Sequence, residues 1–273
     1  MMNYLNKKII IIDNSDLSYT GDDINGTILR GTEASLILLS EQFVRMGINV
    51  DYCNTINSKK NINGVNYFNK NNIDKNIIYD LAIAISDANE FNRVSSIKKA
   101  VFSNSNQPIE KFIRKKQLIP FLKYKPILIT LCNYQFKKRS FFTSFYGKKT
   151  IPITVDPMFL DIDVDDNFLP KRKVVYNIRS NRNLDHLIKI WCEKIFPTNN
   201  EFELYITPNL INHNDYHKKN NIFTRTIGSR SEMIDELKYY RALTYPGHKS
   251  DIFTLTAEEA IKLCLPVVTF GTG

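Results

Sequence analysis

The strongest constraint on the fold is an alternation of short apolar runs with segments of helical periodicity. The first run, Lys8–Asp13, contains four consecutive isoleucines, a pattern typical of a parallel strand that is buried on both faces. Apolar residues then recur at helical spacing between residues 32 and 46, Gly47 provides a helix stop, and Ile48–Cys53 has the composition of a second strand. A strand, a crossover helix and a second strand form a βαβ unit, which predicts a doubly wound α/β sheet.

The first half of the chain continues this alternation after an interruption. Residues 54–77 are rich in Asn and Lys and lack apolar periodicity, so we expect a surface excursion there. Three more apolar runs predict parallel strands, and a helical segment precedes the last of them: Leu81–Ile85, Ala100–Phe102, the helix Ile109–Leu122, and Ile127–Leu131. The charged stretch 161–173 has the composition of a linker. We therefore expect a first Rossmann-like domain at residues 1–165.

The alternation begins anew after this linker. Strands are expected at Val174–Ile178, Glu203–Ile206, Ala242–Tyr245 and Pro266–Phe270, and helices at Leu184–Phe196, Ser231–Tyr240 and Ala257–Cys264. This series predicts a second Rossmann-like domain at residues 166–273. The last strand lacks the closing helices that would cover it, so we expect this second domain to be incomplete.

The net charge of +9 indicates an acidic partner: a nucleotide phosphate, an anionic membrane surface or nucleic acid. Nucleic acid is the least favoured of the three, because the basic residues are dispersed and no recognition-helix or RNA-binding signature occurs. The longest apolar stretches fall short of the ~18 residues that a membrane span requires, and the run after Lys8 is too short for a signal peptide. Four scattered cysteines form no CxxC or Cys/His pair, which disfavours a zinc site and favours a reduced, cytoplasmic setting.

The final segment, YPGHKSDIFTLTAEEAIKLCLPVVTFGTG, carries the most chemical information. It places Asp251 in a loop, keeps Thr254 and Leu255 extended, and enters a helix at Thr256. A helix start offers unpaired backbone N–H groups and the positive end of the helix dipole, which suit a diphosphate. Asp251 and Glu259 flank that entry, and such a carboxylate pair binds ribose and sugar hydroxyls through charge-assisted hydrogen bonds. The alternative is a capping box, in which Glu259 bonds back to the Thr256 backbone.

This segment resembles the motif of the family 4 glycosyltransferases, E-x-F-G-[LI]-x-x-x-E-A followed by G-x-P-V. The positions that align in register with this motif are Asp251, Phe253, Leu255, Glu259, Ala260, Pro266, Val267 and Val268. Three positions depart from the pattern, since Asp251 replaces Glu, Thr254 replaces Gly and Cys264 replaces the Gly after the helix. The resemblance implies that Glu259 holds the nucleotide ribose, that Asp251 contacts the transferred sugar, and that the helix entry described above binds the donor.

A second segment, VVYNIRSNRNLDHLIKI, resembles the strand-turn-helix with which the same family presents a basic side chain to the donor pyrophosphate. Arg182 matches that arginine, Leu184 and Asp185 also match, and Asn183 stands where Gly is usual. An arginine fits the role because its planar fork binds two phosphate oxygens together and neutralises the leaving diphosphate. Arg179 is the reserve candidate for this contact. The alternative is that both arginines are solvated residues of a turn.

Two glycine-containing turns and one asparagine complete the site that the resemblance implies. The sequence RGTE before the first helix lies where the family has G-G-x-E, so Gly31 is assigned to the donor phosphates. The sequence IGSR falls in the region that receives the nucleotide base and diphosphate, which assigns Gly228 and Arg230 to donor binding. Asn104 occupies the position at which the family often has a His near the reacting sugar; it can hydrogen-bond a sugar hydroxyl but cannot titrate. The histidines of this chain lie in polar sequence and are expected at the surface: His186, His213, His217 and His248.

Together these matches imply a GT-B architecture, in which two Rossmann-like domains face each other across a cleft. They imply a retaining glycosyltransferase that moves a sugar from a UDP- or GDP-sugar to a hydroxyl acceptor, with no cofactor or metal. The expected acceptor is a glycan or lipid-linked molecule of the cell envelope, and the expected location is the cytoplasm, with peripheral contact to the anionic inner membrane face. Two alternatives stay open: a non-catalytic protein of the same fold that binds nucleotide-sugar or glycan, and a sugar-nucleotide epimerase.

Overall fold

The computed structural model describes the chain at residues 5–26, 29, 31–104, 108–138, 146–153, 155–160, 162, 169–178, 182–207, 215–225, 228–248, 251 and 254–269. The chain divides into two compact units. The first comprises Met1–Ile24 and Ile28–Ile153, and the second comprises Asn25–Thr27 and Thr154–Gly273. The division after residue 153 lies earlier in the chain than the boundary expected after residue 165.

The first unit is built on one sheet of eight strands. These strands are β1 (Lys8–Ile12), β2 (Asn49–Asn54), β3 (Lys60–Ile62), β4 (Val65–Asn69), β5 (Ile78–Ile85), β6 (Ser95–Ser103), β7 (Ile127–Thr130) and β8 (Lys148–Thr150). Their order is β3-β4-β2-β1-β5-β6-β7-β8. β3 and β4 pair antiparallel, and every other neighbouring pair is parallel. This arrangement confirms the predicted doubly wound α/β class.

The run of isoleucines in β1 explains why this strand lies inside the sheet. Ile10, Ile11 and Ile12 are fully buried, because β1 pairs with β2 on one side and with β5 on the other. Ile10 and Ile12 share one face and pack into the same core cluster. Burying one such side chain contributes about 1.5–3 kcal/mol of hydrophobic free energy, so β1 anchors the unit.

The prediction of a surface excursion at residues 54–77 is wrong for its central part. β3 and β4 form a hairpin there, and β4 extends the sheet by pairing with β2. Val65 and Tyr67 are fully buried, and the Tyr67 ring lies 5.4 Å from the Tyr52 ring between centroids. Two alternate side chains are enough to bury one face of a short strand, but the surrounding Asn and Lys residues hide that pattern in the sequence.

The described helices of the first unit are α1 (Gly31–Arg45), α2 (Ile109–Arg114), α3 (Leu118–Tyr124) and α4 (Asn133–Lys138). α1 ends as predicted, because Gly47 adopts a left-handed φ of +79° and Ile48 N–H donates to the Phe43 carbonyl at 3.0 Å. The single helix expected over residues 109–122 is instead two helices. They are separated at Lys116, whose φ is +53°.

The second unit repeats this plan with five parallel strands. They are β9 (Lys173–Tyr176), β10 (Glu203–Ile206), β11 (Ile222–Thr224), β12 (Ala242–Tyr245) and β13 (Val267–Thr269). Their order is β11-β10-β9-β12-β13. The connections run outward from β9 to β11 and then cross to β12, so the carboxyl ends of β9 and β12 form the topological switch point of this sheet. Open parallel sheets bind ligands at such a point.

Helices cover both faces of the second sheet. They are α5 (Leu184–Ile190), α6 (Phe196–Thr198), α7 (Asp215–Lys219), α8 (Arg230–Leu237) and α9 (Leu255–Lys262). Ile234 of α8 and Ala260 of α9 share one core cluster, and Leu187 of α5 belongs to another. The long helix predicted after β9 is interrupted by a π-helical turn at Trp191–Ile195. Across the part of the chain that the structure describes, every helix is too short or too polar to cross a lipid bilayer.

Candidate functional site

Two charged side chains meet at the switch point of the second sheet. Arg182 follows β9 and Asp251 follows β12, and Arg182 Nε lies 2.9 Å from Asp251 Oδ1. The Arg182 side chain is 22% exposed and the Asp251 side chain is 8% exposed. The pair is therefore largely shielded from water, and the alternative that Arg182 is a solvated turn residue is wrong. Arg179 and the neighbouring residues 180 and 181 lie outside the described residues.

Asp251 is held in a fixed orientation by the strand that precedes it. Tyr245, the last residue of β12, donates its hydroxyl to Asp251 Oδ2 at 2.6 Å. Burial raises the pKa of Tyr245, and the adjacent Asp251 carboxylate raises it further, so the phenol keeps its proton and remains a donor. Because one carboxylate oxygen faces Arg182 and the other faces Tyr245, the Asp251 side chain is oriented by both neighbours.

His248 is a neighbour of Arg182 that the sequence did not single out. Its Nδ1 lies 3.4 Å from Arg182 Nη1, and its ring is half-buried. The expectation of a surface position is therefore wrong for His248. The polar residues around it in the sequence suggested solvent, whereas the loop after β12 brings the ring against the arginine.

The turn before α5 places Asn183, which stands where the resembling motif has Gly, in a conformation that glycine favours. Asn183 has a left-handed conformation with φ +58° and ψ +33°, and asparagine enters this region more readily than most residues. Its Nδ2 also donates to the Gly247 carbonyl, which ties the turn after β9 to the loop after β12. On the other side of the turn, the Tyr176 hydroxyl donates to the Arg182 carbonyl at 3.2 Å. Asn183 therefore adopts the left-handed turn, and its side chain adds a hydrogen bond to the loop after β12.

Glu259 belongs to a second buried ion cluster in the same unit. Arg230 Nη2 lies 3.1 Å from Glu259 Oε1, and Arg230 Nε lies 3.2 Å from Asp156 Oδ2. The three side chains are between 6% and 13% exposed. The Arg230 guanidinium also lies over the Phe159 ring, 5.7 Å from its centroid. Arg230 thus links α9 to the segment that precedes β9.

This cluster holds two carboxylates and one guanidinium, and the pKa of Glu259 is raised within it. Burial raises the pKa of Glu259 to about 7, Arg230 opposes that rise, and Asp156 adds to it. Glu259 is therefore close to half-ionised near neutral pH. A ligand that offers an anionic group to Arg230 and hydroxyl donors to Glu259 would complement the cluster.

α9 begins without the capping box that the sequence allowed as an alternative. Its N-cap is Thr254, whose side chain makes no capping hydrogen bond, and the helix starts at Leu255. The predicted helix entry at Thr256, with Leu255 extended, is therefore one residue too late. Glu259 pairs with Arg230 instead of returning to the backbone of Thr256. Since neither side chain caps the first turn, its backbone N–H groups remain suited to an anion.

The end of α9 likewise has a conformation that glycine favours, at the position of Cys264. Cys264 has a left-handed φ of +55°, its N–H donates to the Ile261 carbonyl at 3.1 Å, and Leu265 N–H donates to the Ala260 carbonyl at 2.9 Å. These two hydrogen bonds form the Schellman motif, for which glycine is the preferred residue. A cysteine here carries a conformational cost that glycine would not.

Gly228 has a packing role that the sequence did not predict. It precedes α8, where Ser229 and Glu232 form a reciprocal capping box. A Cβ at position 228 would lie 2.6 Å from Glu232 Oε2 and 2.9 Å from Glu232 Cβ. Glycine is therefore needed to accommodate the cap. Direct contact of Gly228 with a donor stays a prediction.

Three polar residues that follow neighbouring strands were missed in the sequence. Arg225 Nη1 donates to Asn177 Oδ1 at 2.7 Å, and Thr207 Oγ1 donates to the same oxygen at 3.1 Å. Arg225 is buried and also pairs with Glu236 of α8. A cavity of about 610 Å³ lies beside them, with Lys173, Tyr205, Tyr239 and Gly228 in its lining. Arg225 could not be placed from the sequence because β11, the strand before it, has only three residues.

In the first unit, the predicted Asn104 lies at the carboxyl end of β6 and is exposed. Ser86, which follows β5, donates its hydroxyl to Asn104 Oδ1 at 2.5 Å. Asn14, which follows β1, donates its Nδ2 to Asp87 Oδ2 at 3.2 Å. The carboxyl edge of this sheet therefore carries a row of hydrogen-bonded polar side chains.

The remaining predicted contacts lie at the start of α1. Gly31 is its first residue and is exposed, and its carbonyl accepts the Ser35 hydroxyl at 2.7 Å. Arg30, the residue before it, lies outside the described residues. Within the described ranges, no group of three or more His, Cys, Asp or Glu side chains is arranged to hold a metal ion.

The fold of this chain is similar to that of solved structures, although its sequence matches no family model. The sequence matches no protein-family model and no curated protein. The structure matches a sucrose-phosphate synthase from Thermosynechococcus elongatus with a TM-score of 0.69 and 10% identity, over 98% of this chain and 82% of that one. It also matches a glycosyltransferase from Rickettsia africae ESF-5 with a TM-score of 0.68 and 10% identity, over 99% of this chain and 80% of that one.

The fold is that of GT-B glycosyltransferases. A third similar structure, trehalose-6-phosphate from E. coli bound with UDP-2-fluoro glucose, has a TM-score of 0.61 and 9% identity over 96% of this chain and 84% of that one. Each alignment spans nearly the whole chain, so the match includes both units. At such low identity it concerns the course of the backbone, and the chemistry of this chain rests on its own side chains.

Proposed function

We propose that this protein is a retaining glycosyltransferase of family 4, which moves a sugar from a UDP- or GDP-sugar to a hydroxyl acceptor. The observation that carries the proposal is the ion pair of Arg182 and Asp251 at the switch point of the second sheet. The pair offers a cation to a diphosphate and a carboxylate to sugar hydroxyls. The GT-B fold supports the same reaction class.

The proposed mechanism rests on electrostatic stabilisation of the leaving group. As the bond between the anomeric carbon and the diphosphate oxygen breaks, the acceptor hydroxyl oxygen bonds to that carbon on the same face and gives its proton to the departing phosphate. Negative charge develops on the departing phosphate oxygens during this step. Arg182 and the N–H groups at the start of α9 stabilise that charge. In the donor complex, Asp251 gives up part of its contact with Arg182 and accepts hydrogen bonds from the sugar hydroxyls. This stabilisation uses protein groups alone, so the proposal requires no divalent metal and no cofactor.

The nucleotide half of the donor is assigned to the second cluster. Ribose hydroxyls donate to Glu259, and Arg230, which lies next to Glu259, binds the diphosphate. The similar E. coli structure is bound with UDP-2-fluoro glucose, which makes UDP-sugars the first donors to test. The assignment also accounts for the burial of Glu259, because a carboxylate shielded from water forms stronger hydrogen bonds with hydroxyls.

The acceptor is assigned to the first unit, where Asn104 offers a neutral hydrogen-bonding group. A glycan or lipid-linked hydroxyl fits that group, and we propose a role in cell-envelope glycan synthesis. The net charge of +9 favours peripheral attachment to the anionic cytoplasmic face of a membrane. Nucleic acid is not proposed as a partner.

The test is release of UDP or GDP from a panel of donor sugars, with and without a chelator of divalent cations. Wild type is expected to release nucleotide from at least one donor in both conditions. Glu259→Ala is expected to raise the donor KM by about 10- to 100-fold, because it removes charge-assisted hydrogen bonds to ribose. Glu258→Ala, the neighbouring position on the same helix, is the matched control and should leave KM unchanged. A protein that neither releases nor binds nucleotide would contradict the proposal.

The alternative is a binding protein of the same fold without turnover. It is favoured by Asn104 at the position expected for a histidine, and by the pairing of both arginines with carboxylates. Such a protein would bind UDP or GDP but release no nucleotide from any donor and acceptor pair. Binding and turnover measured on the same preparation separate the two functions.

A further inference from the structure

Asp156 lies outside every motif considered above, yet it contacts the nucleotide side of the proposed site. It precedes a short 3-10 turn at Pro157–Phe159 and is only 6% exposed. One carboxylate oxygen accepts the Met158 N–H at 3.0 Å and so caps that turn. The other oxygen lies 3.2 Å from Arg230 Nε. The two oxygens therefore have separate partners.

The segment that carries Asp156 is packed firmly into the second unit. Phe159 is 1% exposed and belongs to the core cluster of Leu243 and Ala260, and Val155 packs against the same cluster. The Phe159 ring also lies under the Arg230 guanidinium. Asp156 is therefore anchored from both sides, and its carboxylate is a fixed point for Arg230.

Arg230 pairs with two carboxylates, Asp156 and Glu259, which would have different roles in a complex with the donor. Glu259 has to accept hydroxyl hydrogen bonds from the ribose, which weakens its hold on the guanidinium. Asp156 has no such second role in the proposed complex, because it is buried and its other oxygen already accepts the Met158 N–H. Neither ion pair uses Arg230 Nη1, so this nitrogen is the natural donor to a phosphate oxygen.

We propose that Asp156 is a positioning residue, which holds Arg230 against the diphosphate while Glu259 binds the ribose. The inference rests on the function proposed above. Without a second anchor, the long arginine side chain would gain rotamer freedom that nucleotide binding must then remove. Asp156 acts through Arg230 and does not touch the nucleotide itself.

A positioning role and a purely structural role differ in their effect on Glu259. Among the described residues, the charged groups that shift the pKa of Glu259 are Arg230 on α8 and Asp156 before β9. Burial is the largest cause of the raised pKa of Glu259, and Asp156 adds to it; neutralising Asp156 therefore leaves burial and Arg230 in place and removes the smaller cause that raises this pKa. The midpoint of the acid limb of nucleotide binding should then move to lower pH, which a loosened turn alone would not produce.

The experiment compares nucleotide affinity in wild type and Asp156→Asn. Asparagine caps helical turns as well as aspartate does, so the variant keeps the cap and loses the charge. UDP and GDP dissociation constants are measured by calorimetry across neutral and mildly acidic pH, and thermal unfolding is recorded for each protein. We expect binding about 10-fold weaker, an unfolding temperature close to wild type, and an acid limb shifted to lower pH. Asp235→Asn is the matched control, since Asp235 lies on α8 with its side chain 72% exposed.

Two further variants decide whether Asp156 acts through Arg230. Asp156→Asn should add nothing to the loss caused by Arg230→Gln, because the residue that it positions is already gone. Arg230→Lys keeps the charge but lacks the fork that spans both carboxylates, so it should weaken binding as Asp156→Asn does. Unchanged affinity in Asp156→Asn, or a further loss in the double variant, would overturn the inference. Failure of wild type to bind either nucleotide would overturn the proposed function itself.

Discussion

The two sheets share one order of central strands but carry different chemistry at their carboxyl edges. In the second unit, that edge carries the buried Arg182–Asp251 pair. In the first unit, the corresponding edge carries a hydrogen bond between Asn14 and Asp87 and a neutral hydrogen bond between Ser86 and Asn104. Since the order of the central strands is the same, the difference lies in the residues that follow the strands. The fold brings the ends of the strands together at this edge, and the loop residues determine whether the edge binds an anionic diphosphate or a neutral hydroxyl.

The largest expected effect comes from removing the cation at the charged edge. Arg182→Ala leaves Asp251 buried without its ion partner and withdraws the charge that stabilises the leaving diphosphate. We expect nucleotide release at saturating donor to fall about 100- to 1,000-fold, measured as initial rates. Arg172→Ala is the matched control, because Arg172 is half-exposed and pairs with the exposed Glu201. A near wild-type rate for Arg182→Ala would show that the edge of the second sheet does not stabilise the leaving diphosphate through Arg182.

The second prediction concerns the dependence of stability on pH. The pKa of Glu259 is about 7 in the folded protein, against about 4.3 for an unfolded chain. The folded state therefore binds more protons between these values, and the stability linked to this group is lost as pH rises through that range. Relative to Glu259→Gln, wild type should lose about 1–3 kcal/mol of unfolding free energy between about pH 5 and 8. Urea unfolding at each pH measures this, and a pH-independent difference would show that Glu259 titrates normally.

The third prediction concerns Asn104 at the carboxyl edge of the first sheet. Asn104→Ala removes one neutral hydrogen bond to the acceptor hydroxyl and should lower kcat/KM for the acceptor by about 10-fold. The donor dissociation constant should stay unchanged. Asn61→Ala, which alters an exposed asparagine of β3, serves as the control. Weaker nucleotide binding in Asn104→Ala would mean that the first unit also holds the donor.

The smallest effects concern the ends of two helices, one in each unit. Cys264 after α9 and Lys125 after α3 both have a left-handed φ, of +55° and +49°. Glycine adopts this conformation without the steric cost of a Cβ, so Cys264→Gly and Lys125→Gly should each stabilise the protein by about 0.5–1 kcal/mol. The gain at Lys125 should be the lesser, because its ammonium lies over the Tyr146 ring at 5.9 Å. Thermal unfolding measures both, and a loss of stability at position 264 would show that the cysteine side chain makes a compensating contact.

Much of the fold was predictable because the second unit has cleanly bounded apolar runs. β10 and β12 begin and end where the sequence predicted, since each contains three apolar or aromatic residues and is flanked by polar residues or turns. β4 was missed because Val65 and Tyr67 alone carry its buried face. β11 was missed because three residues are too few to reveal a period. Short strands are therefore defined by the sheet that they join rather than by their own sequence.

The sequence selected candidate site residues but did not reveal which residues they contact. The motif resemblance selected Arg182, Asp251 and Glu259, and the structure adds which partner each of them has. Asp156 and His248 were not selected, because their roles depend on which strands and loops become neighbours. Ion pairs between residues distant in the sequence carry no periodic signal, so only the folded chain reveals them.

The most direct test of the account is whether the second unit recognises the diphosphate of a nucleotide. Calorimetry with UDP and GDP, each compared with its nucleoside, separates phosphate recognition from base recognition. We predict that one nucleoside diphosphate binds wild type at least about 100-fold more tightly than its nucleoside, and that Arg182→Ala lowers this preference at least about 10-fold, because Arg230 and the start of α9 still contact the diphosphate. Equal affinity for diphosphate and nucleoside, or a preference that is undiminished in Arg182→Ala, would contradict the proposed function.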